Sequence, residues 1–257
     1  MAGSTTVMLG ESAVTRIGLG TNRLTVSPEN VDFIRKAVAA CVDMIDTAHI
    51  YAGGESEQAI GGALSPRPEG CVVATKGGFS AADAEPEALR AQIEESLERL
   101  RTERIDLYYL HRVHPDVGLE RSLAVIDEYR EAGRIRYIGI SEVGVEQIER
   151  ARAVVPVAAV QNHYNLSERR HEEVVDHCAA EGIVFVPYFP LRGTGSSELA
   201  QIAASHEATE TQIALAWLLM RSPAMLPIPG TLSLAHLREN LEALEIELTD
   251  AEFQALA

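Results

Sequence analysis

Four residues stand where their chemistries can combine. Asp46 closes the run Met44-Ile45 and is followed by Thr47-Ala48-His49-Ile50-Tyr51. Lys76 closes Val72-Val73-Ala74-Thr75, and His111 follows Leu107-Tyr108-Tyr109-Leu110. Asp46, Lys76 and His111 each end an apolar run, so each is expected to be partly shielded from water. A phenol has an ordinary pKa of about 10 and is a modest acid at neutral pH. An ammonium beside it favours the phenolate. A carboxylate beside the ammonium holds that charge in place and offsets the cost of burying it. A histidine can donate to a carbonyl oxygen. Asp46, Tyr51, Lys76 and His111 together would polarise a carbonyl and hand it a proton. A second reading makes Lys76 a Schiff-base nucleophile in a lyase. A lysine kept charged by an aspartate argues against it.

Such a set needs elements that bring three strand ends together. The chain alternates short β-branched runs with longer amphipathic ones. Strands are predicted at Arg16–Gly20, Val42–Thr47, Cys71–Lys76, Ile105–Leu110, Arg136–Ser141, Val157–Gln161, Ile183–Val186 and Met225–Ile228. Helices are predicted at Glu29–Cys41, Glu55–Leu64, Glu87–Leu100, Leu119–Ala132, Val145–Ala153, Glu168–Glu181, Glu198–Ser205, Thr211–Arg221 and Ala235–Leu244. These readings rest on hydrophobic period and on Gly and Pro punctuation. Alternation of this kind implies βα units and a parallel sheet. Eight units leave about 32 residues each, which suits a closed (β/α)8 TIM barrel. No Pro-, Gly- or Ser-rich linker divides the chain, so one domain over residues 1–257 is expected. An open doubly wound sheet would carry a Gly-rich phosphate turn. The nearest match, Gly18-Leu19-Gly20-Thr21-Asn22-Arg23, has arginine at the third glycine position, and no P-loop exists. In a barrel of this type the strand C-termini carry the active site, so Asp46, Lys76 and His111 share one rim.

Composition narrows the partners. The 38 Asp and Glu outnumber the 22 Lys and Arg, for a net charge of −16. That field repels polyphosphate backbones and anionic lipid, so neither nucleic acid nor a membrane surface is an expected partner. Cys41, Cys71 and Cys178 are odd in number and show no ligand spacing. They read as reduced, buried thiols of a cytoplasmic protein with no metal site. The start, Met1-Ala2-Gly3-Ser4-Thr5-Thr6, is unlike a signal peptide, and the run Ile213 to Met220 is too short to span a bilayer.

The sequence resembles the aldo-keto reductases. Asp46-Thr47-Ala48-His49-Ile50-Tyr51, Lys76 and Leu110-His111 are similar to that family's catalytic tetrad. The likeness begins at Ile17-Gly18-Leu19-Gly20-Thr21 and continues through Ile138-Gly139-Ile140-Ser141, Val160-Gln161-Asn162-His163-Tyr164-Asn165 and Val186-Pro187-Tyr188-Phe189-Pro190-Leu191. It ends with Ile228-Pro229-Gly230-Thr231 and His236-Leu237-Arg238-Glu239-Asn240. The resemblance implies a barrel that binds NADP(H) in extended form without a Rossmann domain. It implies reduction of an aldehyde or ketone by hydride transfer from NADPH, with Tyr51 as general acid, Lys76 and Asp46 tuning it and His111 orienting the carbonyl. It implies Ser141 and Gln161 at the nicotinamide carboxamide, Tyr188 stacked on the ring, and Phe189 through Leu191 along the pyrophosphate. Gly20 and Thr21 join the cofactor set. Gly230, Thr231 and His236 are implied near the 2′-phosphate and ribose, and Glu239 and Asn240 at the adenine.

Departures from the family pattern sharpen the expectation. Glu142 stands where Asn commonly follows the serine, and a carboxylate cannot donate to a carboxamide oxygen. Gly230 and His236 replace the usual Lys and Arg. Helix-terminal amides, Thr231, Ser233 and His236 remain for a phosphate, as in a bacterial subset that shares Pro-Gly-Thr, so NADPH is expected over NADH. The stretches at Tyr188 and Pro229 also resemble pyridoxal-reducing members. A short C-terminus and the small loop Arg192-Gly193-Thr194-Gly195-Ser196-Ser197 imply an open mouth. Arg112 and His114 either meet an acidic or phosphorylated substrate or stay as rim charges. A catalytically silent cofactor sensor is the further reading, and a monomer acting on a small carbonyl compound is the expected state.

Overall fold

The computed structural model describes residues 4–256. A hairpin comes first, β1 (Thr6–Leu9) against β2 (Ser12–Thr15). Seven parallel strands follow: β3 (Leu19–Gly20), β4 (Met44–Asp46), β5 (Val72–Gly77), β6 (Ile105–Leu110), β7 (Ile135–Ser141), β8 (Val157–Gln161) and β9 (Val184–Phe185). They pair strictly in chain order. Helices α1 (Pro28–Ala39), α2 (Glu55–Ala63), α3 (Ala81–Ala84), α4 (Pro86–Arg99), α5 (Leu119–Glu131), α6 (Val145–Arg152) and α7 (Glu172–Glu181) lie between successive strands. After β9 come α8 (Ser197–Ser205), α9 (Glu210–Arg221), α10 (Leu234–Glu242) and α11 (Asp250–Ala255). Local chemistry sets several starts. Ser27 caps α1 with Pro28 in its first turn, and Thr209 forms a capping box with Gln212 on α9.

The predicted eighth strand, Met225–Ile228, differs from expectation. It forms no ladder but closes the (β/α)8 barrel by single bridges, Phe185 to Met225 on one side and Gly20 to Gly230 on the other. The cause is in the sequence. Pro227 and Pro229 have no N–H to give, so they only accept, from Gly18 at 3.0 Å and Gly20 at 3.2 Å. Gly20 must be glycine here, because a Cβ would lie 2.7 Å from the Ile228 carbonyl. Two further differences are local. The helix expected from Glu168 begins at Glu172, because Asn165 and Glu168 bond each other in a turn. Cys41 is exposed beyond the end of α1 with φ of 71°, whereas Cys71 and Cys178 are buried as expected. The opening hairpin was not predicted. Its Leu9 and Val14 are buried with the side chains inside the barrel and close its N-terminal end.

Period two then decides which residues meet. Met44, Val72, Ala74, Leu107, Ala159, Val184, Val186 and Leu226 point inward, while Ile45, Val73, Tyr108, Ile138, Val160 and Phe185 pack outward against the helices. Continuing the inward parity to each strand's C-terminal end gives Asp46, Lys76, His111, Ser141, Gln161 and Tyr188. Gly139 makes room inside, since a Cβ there would sit 2.3 Å from the Tyr109 ring.

Candidate active site

At the inner end of β5, Lys76 is wholly buried. Its Nζ donates to Asp46 Oδ1 at 2.6 Å and to the Thr47 carbonyl at 2.6 Å. It lies 5.0 Å from the centroid of the Tyr51 ring. Burial pulls the ammonium down, but Asp46 and then Tyr51 outweigh it, so Lys76 is held above its ordinary value. Tyr51 opens a short 3-10 turn that follows β4 after residues 47–50. Ala52 and Gly53 reverse the chain there with positive φ, which turns the tyrosine back over the barrel mouth. Tyr51 meets His111 edge to face, with centroids 6.2 Å apart. His111 is 5% exposed, and its Nδ1 has no hydrogen-bond partner among the described residues. Burial, then Lys76, then Arg112 depress its pKa to about 2, so the ring is a neutral donor or acceptor rather than a cation.

The second oxygen of Asp46 accepts from Gln161 Nε2 at 2.8 Å. This fixes the Gln161 amide with its carbonyl oxygen available to a ligand N–H. Ser141 and Gln161 are direct register partners at the ends of β7 and β8. Tyr188 stacks on His163, with centroids 5.1 Å apart and planes 10° from parallel, which leaves its opposite face for a second planar group. Glu142 turns away. Its backbone has φ of 57°, and its carboxylate accepts from the His163 N–H at 2.7 Å and pairs with Arg170 at 3.2 Å.

Tyr51, His111, Ser141, Gln161, Tyr188, Phe189, Leu191, Gly20 and Gly230 line one cavity of about 570 Å³. A second, of about 450 Å³, continues it through Gly20, Thr21, Arg23 and Gly230 to Thr231, Ser233 and His236. Three predicted residues line neither, the wholly buried Lys76, Glu239 and Asn240. The Glu239 carboxylate accepts from Thr209 at 2.8 Å, and Asn240 is on the buried side of α10. Sequence reading missed Arg23, which lines both cavities with no ion pair among the described residues. It entered only as a broken glycine fingerprint, although a cation one residue past Asn22 at a strand end was the available signal. Phe79 was missed as well. It packs edge-on to His111 at 5.0 Å. Within this geometry a neutral imidazole and a phenol face one cavity with a buried ammonium 5.0 Å from the phenol ring, an arrangement able to bind a carbonyl oxygen and transfer a proton to it.

Comparison with known proteins agrees. The model of the aldo/keto reductase family matches residues 16–257. Pyridoxine 4-dehydrogenase of Escherichia coli (strain K12) is 35% identical, covering 98% of this chain and 97% of its own. The thermostable aldo-keto reductase Tm1743, solved with the inhibitor epalrestat, superposes with a TM-score of 0.90 at 33% identity, covering 100% of this chain and 98% of its own. An aldo-keto reductase of Klebsiella pneumoniae, solved with NADPH, gives 0.89 at 28% identity, covering 100% and 94%. With barrel, rim and sequence in agreement over almost the whole length, the chain belongs to the aldo/keto reductase family.

Proposed function

We propose that the protein reduces an aldehyde or ketone to an alcohol with NADPH. One observation carries the reading. The Lys76 ammonium is held between Asp46 and the Thr47 carbonyl, 5.0 Å from the Tyr51 ring, with neutral His111 across the same cavity. The reduced nicotinamide, when bound, supplies the hydride. His111 orients the carbonyl oxygen by a hydrogen bond. Tyr51 gives that oxygen its proton, and the fixed charge of Lys76 stabilises the phenolate left behind. Asp46 keeps Lys76 charged and holds the Gln161 amide.

The residues present fit the dinucleotide. The two cavities, about 570 and 450 Å³, share Gly20, Thr21, Asn22, Arg23 and Gly230, which suits an extended molecule lying across both. Ser141 and the Gln161 carbonyl oxygen suit the carboxamide, and the free face of Tyr188 suits the nicotinamide ring. Phe189 and Leu191 line the larger cavity and would follow the pyrophosphate. Arg23, Thr231, His236 and the N-terminus of α10 favour a 2′-phosphate, and therefore NADPH over NADH. Glu239 and Asn240 are read as supporting the adenine end through the position of α10. The Klebsiella relative solved with NADPH supports the same choice. We further infer one barrel domain over residues 1–257 that works in the cytoplasm. No helix of the described residues is long and apolar enough to cross a membrane.

The test is NADPH consumption over a panel of aldehydes, ketones and pyridoxal. The last is included because a relative is a pyridoxine dehydrogenase. Tyr51→Phe is expected to abolish turnover while NADPH affinity stays near that of the parent protein. Near-normal turnover in that variant refutes the assignment. Tight NADPH binding with no turnover on any compound moves the reading to a cofactor sensor.

A further inference from the structure

Three arginines line the larger cavity of a chain whose net charge is −16, namely Arg23, Arg112 and Arg192. Asp46 is the one carboxylate among the lining residues, and it is occupied by Lys76 and Gln161. Two of the arginines lie toward the proposed cofactor. Arg23 continues into the second cavity, and Arg192 sits 4.0 Å from the centroid of Phe189 on the loop after β9.

Arg112 is different. It follows His111 directly, and its guanidinium lies 5.8 Å from the ring of Phe79, the residue that packs on His111. Its Nη1 donates to the His111 carbonyl at 2.8 Å and to Ser141 Oγ at 3.2 Å. These bonds fix the guanidinium but use only Nη1. Nε and Nη2 have no partner among the described residues, and no carboxylate pairs with Arg112. His114, the other candidate from the sequence, is tied to the Phe79 carbonyl at 3.1 Å and does not line the cavity. An arginine held rigid beside the carbonyl-binding histidine, with a fork of donors still free, is built to take a planar or tetrahedral oxyanion.

We propose that Arg112 selects carbonyl substrates that carry a carboxylate or phosphate on a short arm. The inference rests on the reductase reading and names its substrate class. His111 and Tyr51 would hold the carbonyl oxygen while the Nε and Nη2 edge of Arg112 holds the anion.

Matched pairs test it. Succinate semialdehyde is compared with pentanal, and glyceraldehyde phosphate with glyceraldehyde. In the parent enzyme the charged member of a pair is expected to be favoured in kcat/KM about thirtyfold, the worth of one charge-assisted hydrogen-bonded pair. The pair with the larger ratio identifies carboxylate or phosphate. Arg112→Gln is expected to remove most of that preference through KM of the charged member. Arg112→Lys should restore part of it, since charge remains and the fork is lost. NADPH affinity of the variants is measured separately. A ratio near one in the parent enzyme, an equal loss on both members, or a loss that tracks weakened NADPH binding overturns the proposal. Calorimetry of succinate with the NADP+-saturated protein separates this proposal from the reductase reading. If no carbonyl is reduced, that reading fails, while succinate binding lost in Arg112→Gln still upholds the anion site and absence of binding removes it.

Discussion

Replacing Asp46 by Asn tests the centre of the structure, because it removes one of two buried opposite charges and almost no volume. The Lys76 Nζ to Asp46 Oδ1 distance is 2.6 Å. At an effective dielectric of about 20 two unit charges at that distance attract by about 6 kcal/mol. The variant keeps the Thr47 carbonyl at 2.6 Å, which retains part of the stabilisation. Asn also brings an NH2 group, which must face either the ammonium or the Gln161 amide until Gln161 turns over. Breaking a buried pair from one side costs about 3–5 kcal/mol, so that loss is expected at neutral pH. The pH dependence should reverse as well. In the parent protein Lys76 sits above the ordinary lysine value of 10.5, so its contribution is complete below that pH and is lost as pH rises through the folded value. In the variant, burial, the largest influence on Lys76, is opposed only by Tyr51 and the Thr47 carbonyl, so the folded value is expected to fall below 10.5. The unfolded chain then binds the proton more tightly, and stability rises with pH, by at most about 1.4 kcal/mol per unit. Urea unfolding at neutral and at alkaline pH reads both effects. Adding Lys76→Met to the variant should recover stability, since no unpaired charge remains. A variant within about 1 kcal/mol of the parent at neutral pH, with the same pH slope, refutes the argument.

Two further outcomes follow from the same geometry. His111 has a folded pKa near 2 against an ordinary 6.5, so it stays neutral in the fold while the unfolded chain takes up a proton. Stability should therefore fall as pH drops below 6.5, by about 1 kcal/mol over the first unit, and His111→Gln should lack that component in denaturant titrations at the two pH values. Arg23→Gln should raise the KM for NADPH about tenfold and leave that for NADH nearly unchanged, the scale of one lost phosphate contact. Equal effects on both cofactors would remove Arg23 from the 2′-phosphate.

Much of the site was legible because the barrel repeats one rule. Once Met44, Val72 and Leu107 are read as inward, counting in twos reaches Asp46, Lys76 and His111 without further information. Tyr51 was harder, since its position depends on the positive φ of Ala52 and Gly53 and not on any period. The eighth strand was overread because apolar residues flank Pro227, and hydrophobicity does not register a missing N–H. The opening hairpin escaped because four-residue strands carry too few alternations to detect. The pairing of Glu142 with Arg170, Arg112 with Ser141 and Glu239 with Thr209 joins residues distant in sequence, which no local pattern encodes.

The proline seam has a consequence for how the barrel moves. Between β3 and residues 227–229 both backbone hydrogen bonds run in one direction, from Gly18 and from Gly20, with none returned. A joint with half its usual rungs is where such a cylinder is expected to part first during small fluctuations, which amide exchange at Gly18 and Gly20 would read. Gly20 and Gly230, which face each other across it, also line both cavities. A ligand lying across that line acts as a clasp, so that occupancy tightens the whole cylinder and an empty cleft loosens it. Affinity at this rim and the integrity of the barrel are thus one linked equilibrium.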